Sequence, residues 1–195
     1  MKLPIALVYT LATLSMSAYA QNPPPAAPPA PNNPDHAVSS LTDAQIVQIV
    51  ETTNDGEIAA ARMEKNHGKS ADAKDFAKMM IDQHTQNNKD LKALSKKLKM
   101  TPEKTPISDK IHRESELAGA RFDKMKGADL DRAYVDKQVE LHQHVLDKLD
   151  NELIPQAKND DLKALLQNTR ASVAEHLDHA KTIQKTVNGQ STTNM

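Results

Sequence analysis

From Ser70 to Lys99 the chain places Phe76, Met80, Leu91, Leu94 and Leu98 at helical spacing, then breaks that stripe at its centre with Gln83, His84 and Asn87. The spacing predicts one long amphipathic helix with a single inward face. Ser70 or Asp72 can cap its start, because a side-chain oxygen there accepts from a free N–H of the first turn. A polar group on an inward face costs free energy unless a neighbour satisfies it. Other helices must therefore bring partners to the same depth. That requirement constrains the fold more than any other feature of the chain.

Three more long stretches have the same character. Thr42 to about Asn66 carries Ile46, Val47, Val50, Ile58 and Ala61, with Glu57 inside the stripe. Thr42 is its expected cap, and Gly68 is expected to close it in the left-handed conformation. Asp129 is the expected cap of a helix from Leu130 to Ile154, striped by Tyr134, Val135, Val139, Val145, Leu149 and Leu153 and stopped by Pro155. A last helix opens at Asp160 or Asp161 and runs to about Val187, with Leu162, Leu166, Val173, Leu177, Ala180 and Ile183 inward. Ser108 to about Met125 reads as a shorter helix presenting Ile111, Leu117, Ala118 and Phe122. Glycine is scarce at 5 residues, strand-like alternation is missing, and good helix formers dominate. The predicted class is all-α, a four-helix bundle over residues 41–187. The short helix could span ~27 Å, enough to carry the chain back along the bundle. Such a crossover makes the second and fourth helices parallel, and the first and fifth likewise, as in ferritin-like bundles.

The two ends read differently. Residues 1–20 have a basic start at Lys2, an apolar run from Ile5 to Met16 and the small-x-small site Ala18-Tyr19-Ala20, which is the pattern of a secretory signal peptide. Residues 21–40 form a proline-rich linker, expected to be extended and disordered. Residues 188–195 are expected to fray. No other stretch is apolar enough to span a bilayer, so the mature protein is expected to be periplasmic or secreted. Lys and Arg number 25 against 26 Asp and Glu, and the two signs are interspersed. With few aromatic residues this excludes a nucleic-acid footprint. The absence of cysteine rules out disulfides and thiolate metal sites. No phosphate-binding loop or nucleophile elbow is present, and no catalytic residue is assigned.

Each long helix has one polar residue in its stripe near its midpoint: Glu57, His84, His142 and His176. With parallel first and fifth helices, all four can share one level. One carboxylate and three imidazoles suit Zn²⁺, Fe²⁺, Mn²⁺ or Cu²⁺. The competing reading is a hydrogen-bonded polar layer that only fixes helix register, completed by Gln83 and Asn87. It would make the protein a non-catalytic envelope or stress protein, partnered by another envelope protein or a second copy. The two Glu-x-x-His pairs of di-iron bundles are not met. His179 reads as a rim residue, and His144 faces away from His142.

The segments Gly56-Glu57-Ile58, Lys74 to His84, Phe122 to His142 and Glu175 to Lys181 resemble a bacterial family of exported proteins. That family is a domain of unknown function, often labelled putative outer membrane protein and assigned a ferritin-like bundle. The likeness covers roughly Leu41 to Gln184. Its motif positions fall on Glu57, His84, His142 and His176. The family's Asp before the second-helix and fourth-helix histidines is Gln83 and Leu141 here. The resemblance implies fold and export, and no reaction.

Overall fold

A computed structural model of the protein describes residues 40–189. The proposed signal peptide, nearly all of the linker and residues 190–195 lie outside the described residues. The described residues contain helices and no strand: α1 (Asp43–His67), α2 (Ala71–Leu98), α3 (Pro106–Phe122), α4 (Ala128–Lys148) and α5 (Asp160–Val187). After Lys148 the α4 path continues through a π-helical turn, Leu149–Leu153, and a final α-helical turn, Ile154–Gln156. No helix among them is long and apolar enough to cross a membrane.

The four long helices form a closed ring of neighbours: α1 packs on α2, α2 on α5, α5 on α4 and α4 on α1. Helix α3 lies against α1. Two aspartates show the chain direction. Asp131, in the first turn of α4, accepts from the N–H groups of Lys69 (2.7 Å) and Ser70 (3.0 Å) at the start of α2. Helices α2 and α4 therefore start at the same end and run parallel. Asp43, in the first turn of α1, accepts from Lys158 (2.8 Å) and Asn159 (3.0 Å), so α1 and α5 also start together. Helix α3 makes the crossover between the halves.

The core is in two parts. One cluster holds Ile46, Val47, Leu91, Leu149, Leu162 and Leu166. The other holds Ala61, Phe76, Met80, Leu130, Tyr134 and Ile183. On every long helix the residues between these clusters include buried polar ones: Asn54 and Glu57, His84, Gln138 and His142, Thr169 and His176. A polar layer thus divides the apolar interior.

Several helix ends differ from the sequence expectation. Thr42 does cap α1, in a reciprocal box with Gln45. Helix α3 starts at Pro106, capped by Thr105, and Ser108 sits in its first turn as the reciprocal partner. Leu117 of α3 is exposed rather than inward. Asp129 does not cap α4; it pairs with Arg132. Gly127 occupies the cap position with φ 59°, a conformation cheap only for glycine. Its N–H reaches His67 O at 2.8 Å, closing the turn onto the end of α1. Helix α5 is capped by Asn159, with Asp160 and Asp161 in its first turn, where carboxylates favour the positive helix end. Pro155 does not stop the helical path. A proline ring collides with the carbonyl four residues back in a regular helix, and the wide π turn ahead of it provides the missing room.

Gly68 is extended (φ −68°, ψ 167°), so it is not a left-handed cap. It is needed for space. A Cβ there would lie 2.0 Å from Glu64 Oε1 and 2.7 Å from Asp131 Oδ1. Gly68→Ala is expected to lose roughly 1–3 kcal/mol, the usual cost of overpacking, measured as a lower urea midpoint at unchanged m-value.

Candidate metal centre

Helices α2, α4 and α5 bring His84, His142 and His176 together. All three are buried. One ring nitrogen from each lies within 4.8 Å of the others. The ring centroids are 5.3 Å apart for His84–His176 and His142–His176, and 6.2 Å for His84–His142.

Which nitrogen carries hydrogen follows from the partners. His142 Nδ1 lies 2.9 Å from the carbonyl oxygen of Gln138, which can only accept. His84 Nδ1 lies 2.8 Å from Asn54 Oδ1. The Asn54 amide is itself oriented, since its Nδ2 donates to Asn87 Oδ1 (2.8 Å) and Asn88 Oδ1 (2.7 Å). His176 Nε2 lies 2.7 Å from Gln83 Oε1. With the Gln83 amide oxygen turned toward His176, each imidazole donates through one nitrogen to an oxygen. The lone pairs left over are on His84 Nε2, His142 Nε2 and His176 Nδ1. His142 Nε2 and His176 Nδ1 face each other at 3.3 Å. His84 Nε2 is buried with no partner.

Protonation of His84 or His176 does not relieve this crowding. Burial, reinforced by His176 and His142, pushes His84 down to about 3. Burial, then His142 and His179, pushes His176 down to about 4. Neutral rings with lone pairs turned inward are the state in which imidazole ligates a metal. An outward N–H held by an oxygen is the usual support for such a ligand. Two nitrogens ~2.0–2.1 Å from one tetrahedral ion are ~3.3 Å apart. The His142–His176 separation already has that value, and the His84 pairs must close from at most 4.8 Å.

Glu57 is buried on α1 and lies outside this trio. It faces His142 and Gln138; burial raises its carboxyl above the ordinary range, against the pull of His142 and the Gln138 amide. His179 and His144 are exposed, as their positions predicted. A Glu-x-x-His spacing on α1, Glu64 with His67, does not converge, because His67 faces solvent. Asn54 is the supporting residue that sequence spacing overlooked. It lies one turn before Glu57 on the same face, and its polarity within that stripe was the available sign. The side-chain amide of Gln83 holds His176 Nε2 at 2.7 Å.

Two openings reach the layer. A polar groove between α2 and α5, about 560 Å³, ends on His84 and His176. A largely apolar cleft between α1, α3 and α4, about 360 Å³, ends on Glu57, His84 and His142.

No curated protein and no solved structure matches the chain. A family model matches residues 27–183, most of the chain, and its description names neither an activity nor a location. The chain belongs to the family described as Domain of unknown function (DUF4142).

Proposed function

We propose that this protein is an exported, ferritin-like helical bundle that holds a divalent transition-metal ion on His84, His142 and His176. The observation that carries the reading is the trio of inward lone pairs, each fixed by an outward N–H bond to an oxygen. A purely structural polar layer would place a hydrogen between facing nitrogens. With the Gln83 amide oxygen toward His176, His142 Nε2 and His176 Nδ1 have none to share. Glu57, beside His142, is the carboxylate that offsets the ion's charge and the nearest candidate for a further donor. Zn²⁺, Fe²⁺, Mn²⁺ and Cu²⁺ all suit imidazole-rich sites, and the polar groove offers a hydrated ion a route in. No reaction is assigned. Untagged protein analysed for metals is expected to carry about one ion per chain, in line with a single three-imidazole site. Metal-free protein that binds none of the four ions would end the proposal.

Export rests on Lys2, the apolar run that follows and Ala18-Tyr19-Ala20. The mass of the protein recovered from its native cell is expected to match a chain beginning at Gln21. A full-length mass would refute cleavage.

A further inference from the structure

We propose that the cleft between α1, α3 and α4 is a binding site for a small, neutral, largely apolar molecule bearing a hydroxyl group. The inference goes beyond the metal reading and shares Glu57 with it, so the cleft is tested on metal-free protein.

The cleft exists because α3 packs on α1 and only lightly on α4. Its walls include Ile49, Ile111, Ala118, Phe122, Val145 and Leu149. Its volume, about 360 Å³, falls in the range of small-molecule pockets. Apolar walls alone would not identify an occupant. The inner end does. Glu57 and Gln138 line it, are at most 3% exposed, and each has an oxygen, Oε2 and Oε1 respectively, without a hydrogen-bond partner. Buried oxygens without partners are costly. The terminal torsions of Glu and Gln are soft, so both groups can turn toward an entering head group.

The head group follows from what these two residues need. Gln138 Oε1 only accepts, so the ligand must donate. Glu57 Oε2 is the second oxygen there without a partner, so a donor serves both. A hydroxyl is the smallest neutral group that supplies one. A carboxylate could donate to neither oxygen. A hydrocarbon would leave both oxygens unpaired.

The test uses metal-free protein and three probes of one shape: 2-naphthol, naphthalene and 2-naphthoate. The chain has no tryptophan, so naphthyl fluorescence is read over the weak background of tyrosine. 2-Naphthol is expected to bind ~10-fold tighter than naphthalene, the value of one well-made hydrogen bond, and tighter still than 2-naphthoate. Gln138→Leu should remove most of the advantage over naphthalene. Ala118→Phe, on α3 and away from the histidines, should fill the cleft and abolish binding of both. Leu141→Trp fills it from α4 and serves if Ala118→Phe melts early. Equal binding of naphthol and naphthalene, tightest binding of naphthoate, no naphthol binding, or binding that survives both filled variants would each overturn the proposal. Zn²⁺ binding is measured on the same sample, so failure of the cleft and failure of the metal centre are told apart.

Discussion

Adding Zn²⁺ to metal-free protein at ~1,000 times its dissociation constant is expected to stabilise the fold by ~4 kcal/mol, since an ion that binds only the folded state shifts unfolding by mass action. For a domain of this size each kcal/mol moves the melting temperature by ~2–4 °C, so the rise should be roughly 8–16 °C. His142→Ala should abolish it. His142 Nε2 is the nitrogen already at ligand spacing from His176 Nδ1, and the remaining pair cannot hold the ion against water. Asn54→Leu tests the support. It removes the oxygen that keeps His84 Nδ1 protonated and leaves all three imidazoles in place. Loss of such a partner usually weakens metal binding by ~10–100-fold. The order should therefore be wild type, Asn54→Leu, His142→Ala, read by calorimetric titration. A Zn²⁺-dependent rise that persists in His142→Ala would place the ion elsewhere.

Metal-free protein is expected to lose stability as pH rises from ~6.5 to 8, because buried carboxyls hold protons that the unfolded chain has released. The first such carboxyl is Glu64. It is fully buried on α1 and faces Asp131, with Lys74 and Tyr134 nearby. Burial, then a hydrogen bond and like charge from Asp131, push its carboxyl up to about 8, from an ordinary 4.5. The folded state therefore holds a proton that the unfolded chain has released. That stability is full below the unfolded pKa and is lost as pH rises through the folded one. On the acid side His84 and His176 have folded values of about 3 and about 4 against an ordinary 6.5. Their folded rings stay neutral while the unfolded ones take up protons, so stability falls as pH drops below ~6.5. Between 4.5 and 6.5 the two histidines pull against the raised carboxyls of Glu64 and Glu57. Above that the carboxyls act alone, and the share of Glu64 has a slope of at most ~1.4 kcal/mol per pH unit. From pH 6.5 to 8 that is ~2 kcal/mol, or ~4–8 °C. Glu64→Gln keeps a donor to Asp131 and carries no proton to lose, so its melting temperature should fall by ~4–8 °C less than that of wild type over this range. A wild-type curve that is flat from pH 6.5 to 8 would mean that Glu64 ionises freely.

The architecture was readable because it rests on periodicity. The stripes around Val50, Met80, Val135 and Leu177 had to face inward, and short turns made neighbours of successive helices. His84, His142 and His176 stood out because an imidazole in an apolar stripe needs a reason. What escaped depends on contacts between distant segments. Asn54 looks like any polar helix residue until His84 is placed against it. Glu64 reads as a surface glutamate beside Lys65, because nothing local reveals that Asp131 and the α1–α2 turn will enclose it. Gly68 was assigned a handedness from its place after a helix, whereas the structure uses its missing side chain. Pro155 was read as a stop because the widened turn before it follows from packing rather than from local preference.

Because Asp43 fastens the start of the last helix to the start of the first, the domain's entry and exit lie at opposite poles. A 28-residue final helix separates them by on the order of 40 Å. A circularly permuted version would need a linker spanning that whole length. Cargo joined directly to the ends of the helical domain, at residues 40 and 189, would likewise be carried on opposite sides of that domain.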